Sequence, residues 1–248
     1  MIIEGRRVLI TGAASGIGLA FGRHLAGLGA RVWGLDRDEE ALAEAGGLDT
    51  GVVFRRCDVG DEPQVLIAVA DVERESGGID VLVNCAAVLR DQALVSKLGG
   101  RIRKHSTADW AETLRSNLTS MFLMTRETAA AMIAARRGGL IVNVSSISRH
   151  GNPGQTAYAA TKAGVDALTV TWSQELAPYG IRVVAIAPGF VETRMTRRIP
   201  SLFLDRIRER TPLKRFGTLD EFARTIEFVI ETDYLNGTVV EVDGGLRF

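Results

Sequence analysis

A doubly wound α/β fold, with a parallel sheet of about seven strands flanked by helices on both faces, is predicted by three observations. Short apolar runs rich in Val, Ile and Leu recur along the chain, longer stretches of helical period separate most of them, and the first run leads straight into a glycine-rich turn. Parallel strands need crossover connections, and right-handed helical crossovers packed on both faces give a Rossmann-like sheet. The 248 residues, 46% of them hydrophobic, suffice for one such core, and no Pro/Gly-rich linker or internal repeat divides them. The expectation is a single domain over 1–248.

Strands are expected at Arg7–Ile10, Arg31–Leu35, Val52–Cys57, Val81–Asn84, Leu140–Ser145, Arg182–Ala187 and Val239–Val242. Their near-continuous apolar character suits strands covered on both faces. The first helix follows Gly16 and carries Leu19, Phe21, Leu25 and Leu28 on one stripe. Leu89 to His105 lacks a sustained apolar period and contains Gly99, Gly100 and the basic residues Lys97, Arg101, Arg103 and Lys104. It is expected to be an exposed excursion, a solvated hairpin or a contact for substrate or partner. Helical stretches follow over Trp110–Met132 and Ala157–Leu176, and Thr218-Leu-Asp-Glu221 has the spacing of a capping box opening the last helix.

Composition narrows the function classes. Thirty basic residues face thirty acidic ones, so net charge suggests neither nucleic acid nor an anionic membrane as partner. No apolar run approaches the roughly 18 residues of a membrane span, and the N-terminus MIIEGRRVLITG has no leader-like stretch, so a cytoplasmic location is expected. Cys57 and Cys85 lack CxxC spacing or a nearby His cluster. They are expected as reduced packing thiols, with no metal site.

The turn Thr11-Gly12-Ala13-Ala14-Ser15-Gly16-Ile17-Gly18, between the first strand and the first helix, has the composition of a phosphate cradle. Glycines allow a sharp turn and close approach of the backbone to a pyrophosphate, while the helix N-terminus offers unpaired N–H donors. At the end of the second strand Asp36 is placed to accept from both hydroxyls of an adenosine ribose, which favours NAD over NADP because a 2′-phosphate would be repelled. Arg37 would partly offset that repulsion, and a cap for the helix near Glu39 is the competing use of Asp36 or Asp38.

These features, with Asn117, the pair Ser145-Ser146 and Tyr158-x-x-x-Lys162 downstream, resemble the short-chain dehydrogenase/reductase family over essentially the whole chain. The resemblance implies an oxidoreductase that moves a hydride between NAD(H) and a secondary alcohol or ketone. It assigns the cofactor to Gly12, Ser15, Gly16, Ile17, Gly18, Asp36, Asp58, Val59, Asn84, Ala86, Pro188, Gly189, Val191 and Thr193, with Tyr158 and Lys162 at the nicotinamide ribose. Asn84-Cys85-Ala86-Ala87 matches the family's NNAG segment only in part. The stretch Ile147-Ser-Arg-His-Gly-Asn-Pro-Gly-Gln-Thr also resembles the 3-oxoacyl-carrier-protein reductases, which implies NADPH and an acyl thioester. Asp36 and Ser15, which stands where those reductases often carry a basic residue, argue against NADPH. A nucleotide-binding scaffold without turnover is the reading from another class.

The chemistry points to the same residues. Hydride transfer to or from carbon requires a proton to move on the substrate oxygen, so a positioned acid/base is needed. Tyr158 and Lys162 stand four apart on one helix face, where an ammonium would favour the phenolate. For the partner of the carbonyl oxygen, two serines compete. Strand alternation and the family's use of the second serine select Ser146, while the family's usual separation from the tyrosine points to Ser145. Asn117 is implied as the holder of a water that relays protons from Lys162. The segment around 190–212, with Arg194 to Arg210 carrying Met195, Ile199, Leu202, Phe203 and Ile207, occupies the position of a substrate lid. The family also implies a homo-oligomer, tetramer or dimer, to which the tail Leu246-Arg-Phe248 could contribute.

Overall fold

The computed structural model describes residues 1–192 and 201–247. All seven expected strands are present, each ending within one residue of its expected limits. β1 (Arg7–Thr11) leads through the glycine-rich turn to α1 (Gly16–Gly27), followed by β2 (Arg31–Asp36), α2 (Glu39–Gly46), β3 (Val52–Arg56), α3 (Glu62–Ser76) and β4 (Val81–Asn84). The excursion is an antiparallel hairpin, β5 (Val95–Leu98) and β6 (Arg101–Lys104), exposed throughout.

The helix expected over Trp110–Met132 is broken into α4 (Thr107–Leu114), a π-helical turn at Arg115–Thr119 and α5 (Ser120–Ala134). Then come β7 (Gly139–Val144), α6 (Thr156–Leu176), β8 (Ile181–Pro188), α7 (Ser201–Arg210), α8 (Leu219–Glu231) and β9 (Val239–Val242). The capping box of α8 is closed in both directions: the Glu221 N–H donates to Thr218 Oγ1 at 3.3 Å, and the Thr218 N–H donates to Glu221 Oε2 at 2.8 Å.

The strands form one parallel sheet in the order β3-β2-β1-β4-β7-β8-β9. Strand alternation builds two cores. Val8 and Ile10 face Phe21 and Leu25 of α1 and Phe222 and Ile226 of α8. Leu9 and Leu35 face Val65 and Val69 of α3 and Met124 and Met132 of α5. Each fully buried large apolar side chain contributes about 1.5–3 kcal/mol. The chain runs outward from β1 to β3 and returns to set β4 on the far side of β1. That reversal opens a crevice at the carboxyl ends of the strands, where such sheets bind ligands.

At the opposite end, Asp80 just before β4 accepts from the Arg7 backbone N–H at 2.9 Å and from Arg7 Nε at 2.7 Å, and pairs with the remaining guanidinium. Burial alone would push the Asp80 carboxyl up, but the Arg7 hydrogen bonds and charge outweigh it and hold it below the usual carboxylate range. The stabilisation is therefore complete above the unfolded-state value and is lost as pH falls through the lower folded value. Asp80→Asn is expected to cost about 2–4 kcal/mol in urea unfolding at neutral pH, with the gap to wild type closing in acid. An equal gap at both pH values would rule out the ion pair as its source.

Candidate active site

The crevice is an open cleft of about 1310 Å³ whose wall is made almost wholly by residues at the carboxyl ends of the strands. Gly12, Ser15, Gly16, Ile17 and Gly18 form its floor. Gly12 has φ +65°, and a Cβ there would stand 2.7 Å from Ala86 Cα; a Cβ on Gly18 would stand 2.2 Å from the Gly12 carbonyl oxygen. Side chains would thus fill the cradle that a pyrophosphate needs. Thr11 Oγ1 accepts from the N–H groups of Cys85 at 3.0 Å and Ala86 at 3.1 Å, locking the end of β4 against the turn. A threonine before the first glycine was the available signal for this lock.

Asp36 lines the cleft, and its carboxylate accepts from the Ala14 N–H at 3.1 Å and the Asp38 N–H at 3.1 Å. Asp38, not Asp36, caps α2, accepting from the Ala41 N–H. The competing use of Asp36 is thereby removed. Asp58 and Val59 line the same end, where Arg115 donates to Asp58 at 3.0 Å and Arg37 donates to Glu112 at 3.1 Å. Hydrogen bonds from Arg115, Ser116 and Arg37 hold the Glu112 carboxyl down at about 2 against burial. Arg37, Glu112 and Arg115 thus form a charge lattice around the cleft that strand periodicity could not reveal, because it joins β2 to α4.

At the other end, Ser145, Ser146, Tyr158, Lys162, Pro188, Gly189 and Val191 converge. The serines divide. Ser145 Oγ donates to Asp166 Oδ1 at 2.6 Å, facing α6, whereas Ser146 Oγ accepts from the Ser148 N–H at 3.1 Å and lies on the cleft wall with Tyr158. Lys162 is buried; its Nζ donates to the Val144 carbonyl at 2.7 Å and lies over the Tyr158 ring, 5.5 Å from the centroid.

In the chain alone, burial pushes the Tyr158 hydroxyl up to about 12, against the lowering by Ser146. Burial also pushes Lys162 down to about 8, partly opposed by the negative charge of Asp166. Between pH 8 and the ordinary lysine value the unfolded chain holds more protons than the folded one, so the cost of burying this ammonium is full below pH 8 and fades above it. Lys162→Met is expected to raise the Tm by a few degrees at pH 7 and by much less at pH 10, while abolishing turnover. Scanning calorimetry at both pH values checks this, and an equal fall in Tm at both would contradict it.

The structure places four further residues of the sequence reading. Asn84 was expected on the cofactor side; its buried amide instead donates to Thr125 Oγ1 at 2.9 Å and Asn143 Oδ1 at 3.0 Å, off the cleft wall. Asn143 continues to Thr169 Oγ1 at 3.0 Å, so the two asparagines in otherwise apolar strands tie β4 and β7 to α5 and α6. Asn117 sits in the π-helical turn rather than mid-helix, and its side chain accepts from the Val88 N–H at 2.7 Å and donates to the Val88 carbonyl at 2.9 Å. It holds the wall segment Val88 and makes no described hydrogen bond to Lys162. Cys57 and Cys85 are free thiols packed against the two cores, as expected, where they also border the cleft, and burial pushes them up to about 11 and about 12 respectively. Thr193, Arg194, Met195, Ile199 and Phe248 lie outside the described residues.

Comparison with known proteins agrees with this geometry. Residues 12–247 match a family model described as enoyl-(acyl carrier protein) reductase. The chain is 44% identical to a 3-oxoacyl-[acyl-carrier-protein] reductase of Thermotoga maritima over 99% of each chain. It is 36% identical to the human (3R)-3-hydroxyacyl-CoA dehydrogenase, over 96% of this chain and 94% of that one. The crystal structure of gox2181 superposes with a TM-score of 0.87 at 31% identity, covering 98% of this chain and 95% of that one.

Proposed function

Because the chain belongs to the short-chain dehydrogenase/reductase family and is an oxidoreductase of CH–OH and C=O groups, we propose that it interconverts a 3-hydroxyacyl and a 3-oxoacyl thioester with NAD(H). The observation that carries the reading is the convergence of Ser146, Tyr158 and Lys162 on one wall of the cleft, with the buried Lys162 ammonium 5.5 Å from the centroid of the Tyr158 ring. A nicotinamide bound in the cleft supplies or accepts the hydride.

The chain's own groups do the rest. Tyr158 gives the substrate oxygen a proton or takes one, and Ser146 donates a hydrogen bond to that oxygen where charge develops. Lys162 favours the phenolate and holds the ribose. Asn117 is a positioning residue that fixes Val88 at the wall and places the π-helical turn for a relay water. Gly12, Ser15, Gly16, Ile17 and Gly18 receive the pyrophosphate, Asp36 the adenosine ribose, Asp58 and Val59 the adenine, and Ala86, Pro188, Gly189, Val191 and Thr193 the nicotinamide side. α7, within the expected lid around 190–212, covers the substrate.

The NAD(H) reading rests on Asp36, whose oxygens are oriented into the cleft by two backbone N–H groups. The second reading, an NADPH-dependent 3-oxoacyl-carrier-protein reductase, is favoured by Arg37 on the same wall, but that guanidinium already meets Glu112 and Asp58. The reading also makes the protein a cytoplasmic homo-oligomer, tetramer or dimer, joined through α4, α5 and α6, on which Trp110, Phe122 and Val170 are exposed. Among the described residues no helix is long and apolar enough to cross a membrane. Titration with NADH and NADPH, followed by turnover of 3-oxoacyl thioesters, polyols, hydroxy acids and steroids, tests both parts. Tight NADPH binding with negligible NADH binding overturns the cofactor assignment, and turnover confined to non-thioester alcohols overturns the substrate.

A further inference from the structure

The β5–β6 hairpin concentrates charge that no carboxylate answers among the described residues. Leu94 to His105 contains Lys97, Arg101, Arg103 and Lys104 and no acidic residue. Elsewhere arginines meet carboxylates, as Arg7, Arg37, Arg55, Arg115, Arg126 and Arg215 do. None of the four hairpin cations has an acidic partner among the described residues. Leu94, Val95, Leu98 and Ile102 are exposed beside them. A two-stranded ribbon in water on both faces is marginally stable, and four clustered cations repel one another, so an anionic occupant would relieve both costs.

Its location narrows what that occupant is. The base is anchored: the Gln92 side chain accepts from the Ser106 N–H at 2.8 Å and donates to Asp109 at 2.5 Å, and the His105 N–H donates to the Leu94 carbonyl at 2.9 Å. Gln92 bridges to Gln155, whose side chain donates to Asp91 at 3.2 Å, three residues before Tyr158 on the chain. Val88, at the other end of this segment, lines the cleft. The ribbon therefore stands at the tyrosine end of the cleft, outside the dinucleotide cradle. Its register sets Arg101 opposite Leu98 and Arg103 opposite Ser96 on one face, with Lys97 and Lys104 opposite Ile102 and Val95 on the other. Residues two apart on a strand lie roughly 7 Å apart, so the guanidiniums of Arg101 and Arg103 can fork onto linked phosphates.

We propose that the β5–β6 hairpin binds the phosphate groups of a nucleotide-borne acyl thioester whose acyl end reaches Tyr158 and Ser146. This rests on the thioester reading above and adds where the carrier portion is held. A nucleic-acid or membrane surface would meet the same cations, but a position fixed beside the cleft mouth favours a ligand that also enters the cleft.

The test uses the full chain and a variant with Lys97, Arg101, Arg103 and Lys104 all changed to Ser, its folding checked by unchanged NADH affinity. By calorimetry, coenzyme A is expected to bind wild type with an affinity that falls steeply with salt, and to bind the variant at least tenfold more weakly. The KM for acetoacetyl-CoA should rise by the same factor with kcat retained, while the acetoacetyl thioester of N-acetylcysteamine, which has no phosphate, should be unaffected. Equal coenzyme A binding by both proteins overturns the proposal, as does an equal loss with both thioesters. A loss seen only with an acyl group on an acidic carrier protein also overturns it and gives the hairpin to a protein partner. Hairpin-dependent coenzyme A binding without turnover of any thioester would sustain the hairpin site and defeat the substrate reading instead.

Discussion

Replacing Tyr158 by Phe is expected to lower kcat in either direction by about 10²–10⁴-fold while dinucleotide affinity stays within about twofold. The ring keeps its packing beneath the cleft and over Lys162, so only the hydroxyl is removed. That hydroxyl shares the cleft wall with Ser146. The protonation state of that hydroxyl also sets the direction of the pH profile. Ketone reduction uses the protonated phenol and should fall as pH rises through its value in the dinucleotide complex. Alcohol oxidation needs the deprotonated form and should climb with pH. Stopped-flow measurement of both directions, with NADH binding followed separately, checks the variant and the profile. Undiminished turnover by the Phe variant would remove Tyr158 from the chemistry and reopen the scaffold reading.

The second large effect belongs to Asp36→Asn. An amide oxygen can still accept from the Ala14 and Asp38 N–H groups, so the turn keeps its support and only the charge is lost. A carboxylate and a phosphate about 5 Å apart repel by about 3 kcal/mol at an effective dielectric constant of about 20, and less where water screens them. The ratio of NADH to NADPH affinity should therefore fall by about 10–10²-fold, chiefly through tighter NADPH binding. Fluorescence titration of wild type and variant reads this directly. An unchanged ratio would mean that Asp36 does not face the ribose, and that Arg37 and its partners decide the preference.

The sheet was legible because its signals are local. Buried parallel strands are apolar runs, crossovers impose helices between them, and glycine spacing marks where the backbone must come close to a ligand. For the same reason Gly12, Gly16 and Gly18, Asp36, Ser146, Tyr158 and Lys162 were found from the chain, and the cleft gathers all of them. The partners of Asn84 and Asn117 were not legible, for the opposite reason. Each matches a motif by position, yet where its amide points depends on partners 29 to 59 residues away, at Val88, Thr125 and Asn143. What the chain could not show is the use of the other serine: Asp166, 21 residues beyond Ser145, accepts its hydrogen bond.

By itself, then, the sequence determined the architecture and the positions that meet in the cleft, from the glycine-rich turn to Tyr158 and Lys162, because periodicity, glycine placement and helical spacing are properties of neighbouring residues. Only the tertiary structure decided that Ser145 turns to Asp166, that Asp38 rather than Asp36 caps α2, and that the phenol is raised and the ammonium lowered by burial. Hydrogen-bond direction and desolvation arise from groups brought together across the sheet, and no short stretch of chain carries that information.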